Sequence, residues 1–153
     1  MLFRSVADIL NLPHSPNAFD FVICVAVVHH LSTNDRRTEA IRSILECLKH
    51  DGEVLIFVWA LEQGASRRGW TEQDEQDVMV PWVMRGSKKA ANGHLPDSDT
   101  SKVQPSDDKV FHRYYHLYAQ GELESDIATA GGAVTKSGYE KDNWWAVATK
   151  RPD

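Results

Sequence analysis

The chain has 153 residues, of which 42% are hydrophobic and 25% charged, a composition typical of one globular domain with its own core. Its formal net charge of −5 argues against indiscriminate nucleic-acid binding, although a local basic patch is compatible with that charge. The sequence has no apolar run near the roughly 20 residues of a membrane-spanning helix, no signal-peptide pattern and no Cys-x-x-Cys spacing, and we predict no metal site.

The first residues predict a short strand between Leu2 and Val6. Because the sequence opens inside this strand, we expect that a preceding segment is missing. Asp8 follows at the predicted strand end, where an acid in a nucleoside-binding α/β fold can accept hydrogen bonds from a ribose hydroxyl or an adenine amino group. A helix or turn cap explains Asp8 equally well.

An almost unbroken apolar run from Phe19 to Val28 ends in His29 and His30. Such a run predicts a strand buried on both faces within a parallel sheet, and it places Cys24 in the core as a small hydrophobic residue. Ligands of open α/β sheets bind at the carboxyl ends of the strands, which is where the two histidines fall. The alternative is that one imidazole packs in the core and the other caps a turn.

The next segment predicts an amphipathic helix capped by Ser32 or Thr33, with a buried stripe that includes Ile41, and Asp51-Gly52 as its left-handed stop. Arg37 lies four residues before Ile41 and therefore on the same face. A cation there requires an anion, either a ligand or a structural salt bridge, and the sequence leaves both open.

The second half predicts a further buried strand over residues 53–60 and an apolar segment over 76–82 that packs across the same edge of the sheet. Residues 86–109 predict a disordered insertion. The aromatic and basic residues of 110–118 suit either base stacking and phosphate contacts or a plain core. A helix after Gly121 and a terminal hairpin over 133–149 complete an α/β fold whose mainly parallel sheet ends antiparallel.

This order of elements resembles the second half of a class I S-adenosylmethionine-dependent methyltransferase. Several blocks resemble, more narrowly, the eukaryotic tRNA methyltransferases that esterify 5-carboxymethyluridine at the wobble position, a family related to the methyltransferase domain of an AlkB-homologue fusion. The blocks that carry this likeness are residues 8–13, 17–22, 27–37, 52–56, 59–63, 76–82, 112–116, 121–123 and 142–144. The family's glycine-rich cofactor loop has no counterpart, because no Gly-x-Gly run occurs.

The resemblance implies S-adenosyl-L-methionine as cofactor, the tRNA anticodon loop as substrate and a small zinc-binding activator subunit as partner, bound at the edge strand between Leu2 and Val6. It also implies a cytoplasmic location, with the nucleus as a second compartment. A carboxylate acceptor is already ionised at neutral pH and needs an aligning cation rather than a base, which favours Arg37. Alternatives are a small-molecule methyltransferase of the same fold and a truncated, non-catalytic binding module.

The candidate site residues are assigned on this basis by role. The catalytic candidates are Arg37, His29 and His30; the cofactor-binding candidates are Asp8, Ile9, Ala26 and Val27; the substrate-binding candidates are Arg36, Arg113, Tyr115, His116, Asn143 and Trp144.

Overall fold

The computed structural model describes residues 4–64, 69–84 and 109–151. The elements, in chain order, are β1 (Phe19–Val25), a 3-10 turn (Val28–His30), α1 (Asn34–Cys47), β2 (Leu48–Trp59), β3 (Asp77–Met84), β4 (Lys109–His116), α2 (Glu122–Thr129), β5 (Gly132–Glu140) and β6 (Asn143–Lys150). The chain divides into two compact units, a larger one formed by Met1–Val78 with Tyr114–Asp153 and a smaller one formed by Met79–Arg113.

The larger unit contains a four-stranded sheet in the order β1-β2-β6-β5. β1 pairs with β2 in parallel, whereas β6 pairs antiparallel with both β2 and β5. The predicted hairpin is confirmed, and its turn holds Lys141 and Asp142 at φ values of 47° and 63°. The predicted α/β class, with parallel pairing that gives way to an antiparallel end, is therefore confirmed.

Helix α1 forms where its local signals predict it. Thr33 caps the helix by accepting a hydrogen bond of 3.3 Å from the backbone amide of Arg36. Ile41, Ile44 and Leu45 are buried in the core. They belong to one hydrophobic cluster with side chains of the sheet and of α2, the buried residues Val54, Ile56, Val58, Leu123 and Ile127 among them.

Strand β1 corrects the expectation of a strand buried on both faces. It is the edge strand of the sheet, and Phe21, Ile23 and Val25 are 50–63% exposed. Only the opposite face, which carries Cys24, meets the core. The apolar run is real, but none of the described residues covers its second face.

Two further predictions are wrong in detail. Gly52 does not end a helix, because α1 ends at Cys47 and Gly52 lies inside β2. Glycine is required there for close approach, since a Cβ atom would lie 2.9 Å from the Phe19 carbonyl oxygen. Arg4 and Val6 belong to no strand, while residues 1–3 of the predicted first strand lie outside the described residues.

The smaller unit is built on a two-stranded sheet of β3 and β4. The apolar segment predicted over 76–82 is thus mostly strand, and its Met79 and Trp82 side chains are exposed. The predicted insertion over 86–109 lies outside the described residues except for Lys109, which begins β4. Within the described ranges, no helix is long and apolar enough to cross a membrane.

Candidate active site

The carboxyl end of β1 carries a strained turn. Ala26 follows the strand with φ at 57°, a left-handed conformation that non-glycine residues rarely adopt, and its amide donates to the Phe57 carbonyl at 3.2 Å. Such conformations cost about 1–3 kcal/mol and concentrate at functional sites. The strained residue redirects the chain into the 3-10 turn that carries His29 and His30.

His29 is a neutral hydrogen-bond donor. Its Nδ1 accepts from the backbone amide of Trp59 at 3.0 Å, so the proton is on Nε2, which is buried and has no hydrogen-bond partner among the described residues. Burial, with smaller effects of His30 and His116, lowers the pKa of His29 to about 3. The neighbouring His30 donates from Nδ1 to the Tyr114 carbonyl at 2.9 Å.

Five aromatic rings meet at the carboxyl ends of β1 and β2, and we call them the aromatic cluster: His29, His30, Trp59, Trp70 and Tyr115. Tyr115 stacks on Trp59, with ring centroids 4.2 Å apart and planes 18° apart, and meets His30 edge-on at 4.3 Å. Trp70 lies 6.2 Å from Trp59. Tyr115, a predicted substrate residue, is thus adjacent to both predicted catalytic histidines.

Arg37 lies in a second group of side chains, the polar cluster, formed by Arg37, Asp77, His116, Glu122 and Asp126. Its guanidinium is 3.6 Å from a Glu122 oxygen and 3.7 Å from an Asp126 oxygen, and it donates to the Leu31 carbonyl at 3.4 Å. It also lies over the Tyr118 ring at 5.7 Å. The salt-bridge alternative is therefore present, yet the buried Nε has no hydrogen-bond partner among the described residues.

His116 bridges two carboxylates in the polar cluster. Its Nδ1 is 2.8 Å from Asp77 and its Nε2 is 2.6 Å from Glu122, so both nitrogens donate and the ring is an imidazolium. Burial lowers the pKa of His116, but the hydrogen bonds to the two carboxylates outweigh it and the net shift is upward. Neither nitrogen is left for a substrate, which gives this predicted substrate residue a structural role.

The predicted site residues do not include Asp77, Glu122 or Asp126. Asp126 accepts from the Tyr118 hydroxyl at 3.0 Å and from Asn34 at 2.8 Å, and burial raises its pKa. A signal was available for two of the three: Glu122 and Asp126 are four residues apart and share one face of α2.

An open apolar groove of about 640 Å³ runs along β1, and two of the four predicted cofactor residues line it. These two residues are Ile9 and Val27. Asp8 is exposed and accepts a hydrogen bond of 3.0 Å from the Leu10 amide, as expected if this carboxylate caps a turn. An apolar wall, a strained Ala26 and a carboxylate beside the wall fit one side of a nucleoside site. The described residues include no glycine-rich loop for the other side.

The other predicted substrate residues belong to different elements of the fold. Arg36 is exposed on α1, and Arg113 belongs to the smaller unit. Asn143 donates to the Lys141 carbonyl at 2.7 Å within the β5–β6 turn. Trp144 donates from its indole to Glu62 at 2.9 Å.

Comparison with known proteins defines the class. Residues 4–56 match a family model described as a methyltransferase domain. The structure superimposes on an S-adenosylmethionine-dependent methyltransferase from Clostridium acetobutylicum with a TM-score of 0.60, at 11% identity, over 95% of this chain and 63% of that one. The chain therefore has the class I methyltransferase fold.

The relatives narrow the class to one family. A tRNA (carboxymethyluridine(34)-5-O)-methyltransferase of Schizosaccharomyces pombe is 41% identical over 95% of this chain and 63% of its own length. Its Saccharomyces cerevisiae counterpart is 42% identical over 95% of this chain and 67% of its own length. The chain belongs to this family of tRNA carboxymethyluridine methyltransferases, and it spans about two thirds of the length of these two relatives.

Proposed function

We propose that the protein transfers a methyl group from S-adenosyl-L-methionine to the carboxylate of 5-carboxymethyluridine at the tRNA wobble position, which gives the methyl ester. The observation that carries this proposal is 41–42% identity, over 95% of the chain, to relatives named for that reaction. The cofactor supplies an electrophilic methyl group. Transfer of that methyl group to a carboxylate oxygen would leave a neutral thioether and would need no proton transfer, so the residues of the chain would only have to bind and orient the two reactants.

The chemistry of His29 supports a carboxylate acceptor. An ionised carboxylate, about 3 units above its pKa at neutral pH, needs no general base. His29 could not act as a base through Nε2, because that nitrogen already carries the proton while Nδ1 accepts from the Trp59 amide. A neutral N–H donor orients an anionic oxygen without taking a proton from the reaction. His30, on the same turn, is proposed as the second group at this edge of the sheet.

Arg37 is proposed to align the acceptor carboxylate. Its Nε is buried and has no hydrogen-bond partner among the described residues, so the guanidinium retains a donor for a ligand oxygen. The nearby Glu122 and Asp126 oxygens, at 3.6 and 3.7 Å, lie beyond normal hydrogen-bond distance. These two carboxylates therefore stabilise the Arg37 cation electrostatically without forming hydrogen bonds to it.

Substitution of Arg37 tests this role. Arg37→Lys keeps the charge but loses the planar fork, and we expect turnover to fall about 10- to 100-fold, with a larger loss for Arg37→Gln. Arg42→Gln is the matched control, because Arg42 lies on the surface of the same helix and pairs with Glu39. Full turnover in Arg37→Lys, or a loss explained entirely by lower tRNA affinity or a lower melting temperature, would contradict the proposal.

The proposed activity itself is tested in a chimera. Because the chain spans about two thirds of the S. cerevisiae relative, it would replace the aligned part of that enzyme. We expect methyl ester formation on tRNA that contains 5-carboxymethyluridine and none on tRNA with unmodified uridine. Methylation of a small-molecule acceptor without tRNA would contradict the proposed substrate. The chain by itself is expected to bind the cofactor weakly, because its sequence has no Gly-x-Gly run to form the family's glycine-rich cofactor loop. Tight binding by calorimetry would overturn that expectation.

The partner and the location are also proposals. A small zinc-binding activator subunit is proposed to bind at the segment from Leu2 to Val6. The support is the family resemblance and the full exposure of Val6. Val6→Asp should reduce co-purification with that subunit, and an unchanged yield of the complex would contradict this placement. A cytoplasmic location, with the nucleus as a second compartment, is tested by imaging a fluorescent fusion.

A further inference from the structure

The smaller unit exposes apolar side chains along its paired strands. Its described residues are 79–84 of β3 and 109–113 of β4, which we call the ribbon. Six of its large apolar side chains are 41–58% exposed: Met79, Trp82, Val83, Met84, Val110 and Phe111. Exposed apolar groups at this density on a short two-stranded sheet indicate a binding surface.

The ribbon also differs in charge from the chain as a whole. Its described residues include Lys109 and Arg113 but no aspartate or glutamate, although the whole chain has a net charge of −5. His112 adds a further hydrogen-bonding group. A local cationic surface on an acidic protein favours an anionic ligand, because like charge elsewhere on the chain repels that ligand and restricts it to this surface.

The aromatic and basic groups of the ribbon lie together. The Arg113 guanidinium lies 4.4 Å from the centroid of the Trp82 ring, in cation–π geometry. The Phe111 ring lies 6.1 Å from Trp82, with the planes 44° apart. A cation and two aromatic rings are therefore preassembled at the surface, and no described carboxylate neutralises the cation.

We propose that the ribbon binds single-stranded RNA, with unpaired bases stacked on Trp82 and Phe111 and phosphates held by Arg113 and Lys109. Stacking surfaces interleaved with cations are the arrangement that binds unpaired nucleotides without strict sequence preference. An apolar protein partner would explain the exposed side chains but not the absence of acidic residues from the described part of the ribbon. The inference rests on the proposed function, since it identifies the surface that holds the unpaired anticodon loop.

Binding is measured by fluorescence anisotropy with a labelled anticodon stem-loop at several salt concentrations. We expect Trp82→Ala and Phe111→Ala each to weaken binding about 5- to 100-fold. Arg113→Gln should weaken binding and reduce the slope of log affinity against log salt by about 0.7, the value for one lost contact to a single strand. Two matched controls come from the larger unit. Phe21→Ala removes an equally exposed ring and Lys136→Gln an exposed cation, and both should change affinity less than twofold.

The inference would be overturned if Phe21→Ala lost as much affinity for the stem-loop as the ribbon variants, or if Arg113→Gln left the salt slope unchanged. Tighter binding of a blunt duplex than of the stem-loop would also overturn it. Equal competition by polyglutamate would overturn it and would indicate an acidic protein partner. Failure of the proposed function gives a different result. In that case the stem-loop binds through the ribbon, but no methyl ester forms in the chimera. If ribbon variants form the methyl ester with an unchanged KM for tRNA, the proposed RNA-binding role of the ribbon is wrong, whereas the proposed methyltransferase activity is supported.

Discussion

Replacement of His116 with alanine removes the cation between Asp77 and Glu122. The change leaves two carboxylates of the polar cluster without their shared hydrogen-bond donor, at the point where β4 meets α2. We expect a substantial loss in the free energy of unfolding. His116→Gln, which retains one donor but no charge, should give an intermediate loss.

The size of this loss follows from the burial of each contact. His116 and Glu122 side chains are 7% and 21% exposed, so their hydrogen bond of 2.6 Å contributes about 1.5–3 kcal/mol. Asp77 is 63% exposed, and solvent screening limits its pair with His116 to about 0–1 kcal/mol. The edge contact with the Tyr118 ring, at 5.1 Å, adds about 0.5–1.5 kcal/mol. His116→Ala should therefore cost about 2–5.5 kcal/mol.

The loss should depend on pH in a defined direction. The pKa of His116 is raised from the ordinary 6.5, so its contribution is fully present below about pH 6.5 and declines as pH rises through the folded value. The pKa of Glu122 is lowered from 4.5, so its contribution is present above that value and declines as pH falls through the folded value. The difference between wild type and variant is therefore greatest between about pH 5 and 6.5.

Urea unfolding followed by tryptophan fluorescence measures this difference. His50→Ala is the matched control, because the His50 side chain is 90% exposed and its Asp51 partner 98% exposed. We expect the control to cost under about 0.5 kcal/mol at every pH. A His116→Ala loss no larger than that of the control, or a difference that widens above pH 8, would refute the argument.

Two other predictions test the packing around β1. Gly52→Ala should destabilise the fold by about 1–3 kcal/mol, because the new Cβ would lie 2.9 Å from the Phe19 carbonyl oxygen. Gly64→Ala, with no atom within 4 Å of the new Cβ, is its control in the same urea assay, and equal effects would contradict the steric reason. Burial raises the pKa of the Cys24 thiol to about 11. We therefore expect iodoacetamide to alkylate Cys24 at pH 8 at least about 100-fold more slowly in the folded protein than in urea, and equal rates would show that the strand opens freely.

Local sequence signals predict the elements that depend mainly on interactions between neighbouring residues. The Thr33 cap and the spacing of Ile41 with its neighbours specify α1, because a helix needs only nearby hydrogen bonds and one apolar face. The alternation of side chains predicts the terminal hairpin, and the antiparallel pairing of β5 with β6 confirms it. The sequence blocks that resemble the tRNA carboxymethyluridine methyltransferases predict the family. Two relatives with 41–42% identity confirm it.

Tertiary structure alone decided which groups meet. Arg37 and Glu122 are 85 positions apart, so the sequence showed a buried cation but not the carboxylates that face it. The sequence suggests that His116 could contact phosphates. In the structure, both of its ring nitrogens form hydrogen bonds with carboxylates, those of Asp77 and Glu122. The apolar run of β1 likewise shows that both faces of the strand could be buried. It does not show that, among the described residues, only the face that carries Cys24 meets the core. Periodicity encodes which side chains avoid water, whereas the partner of each buried charge is set by long-range packing.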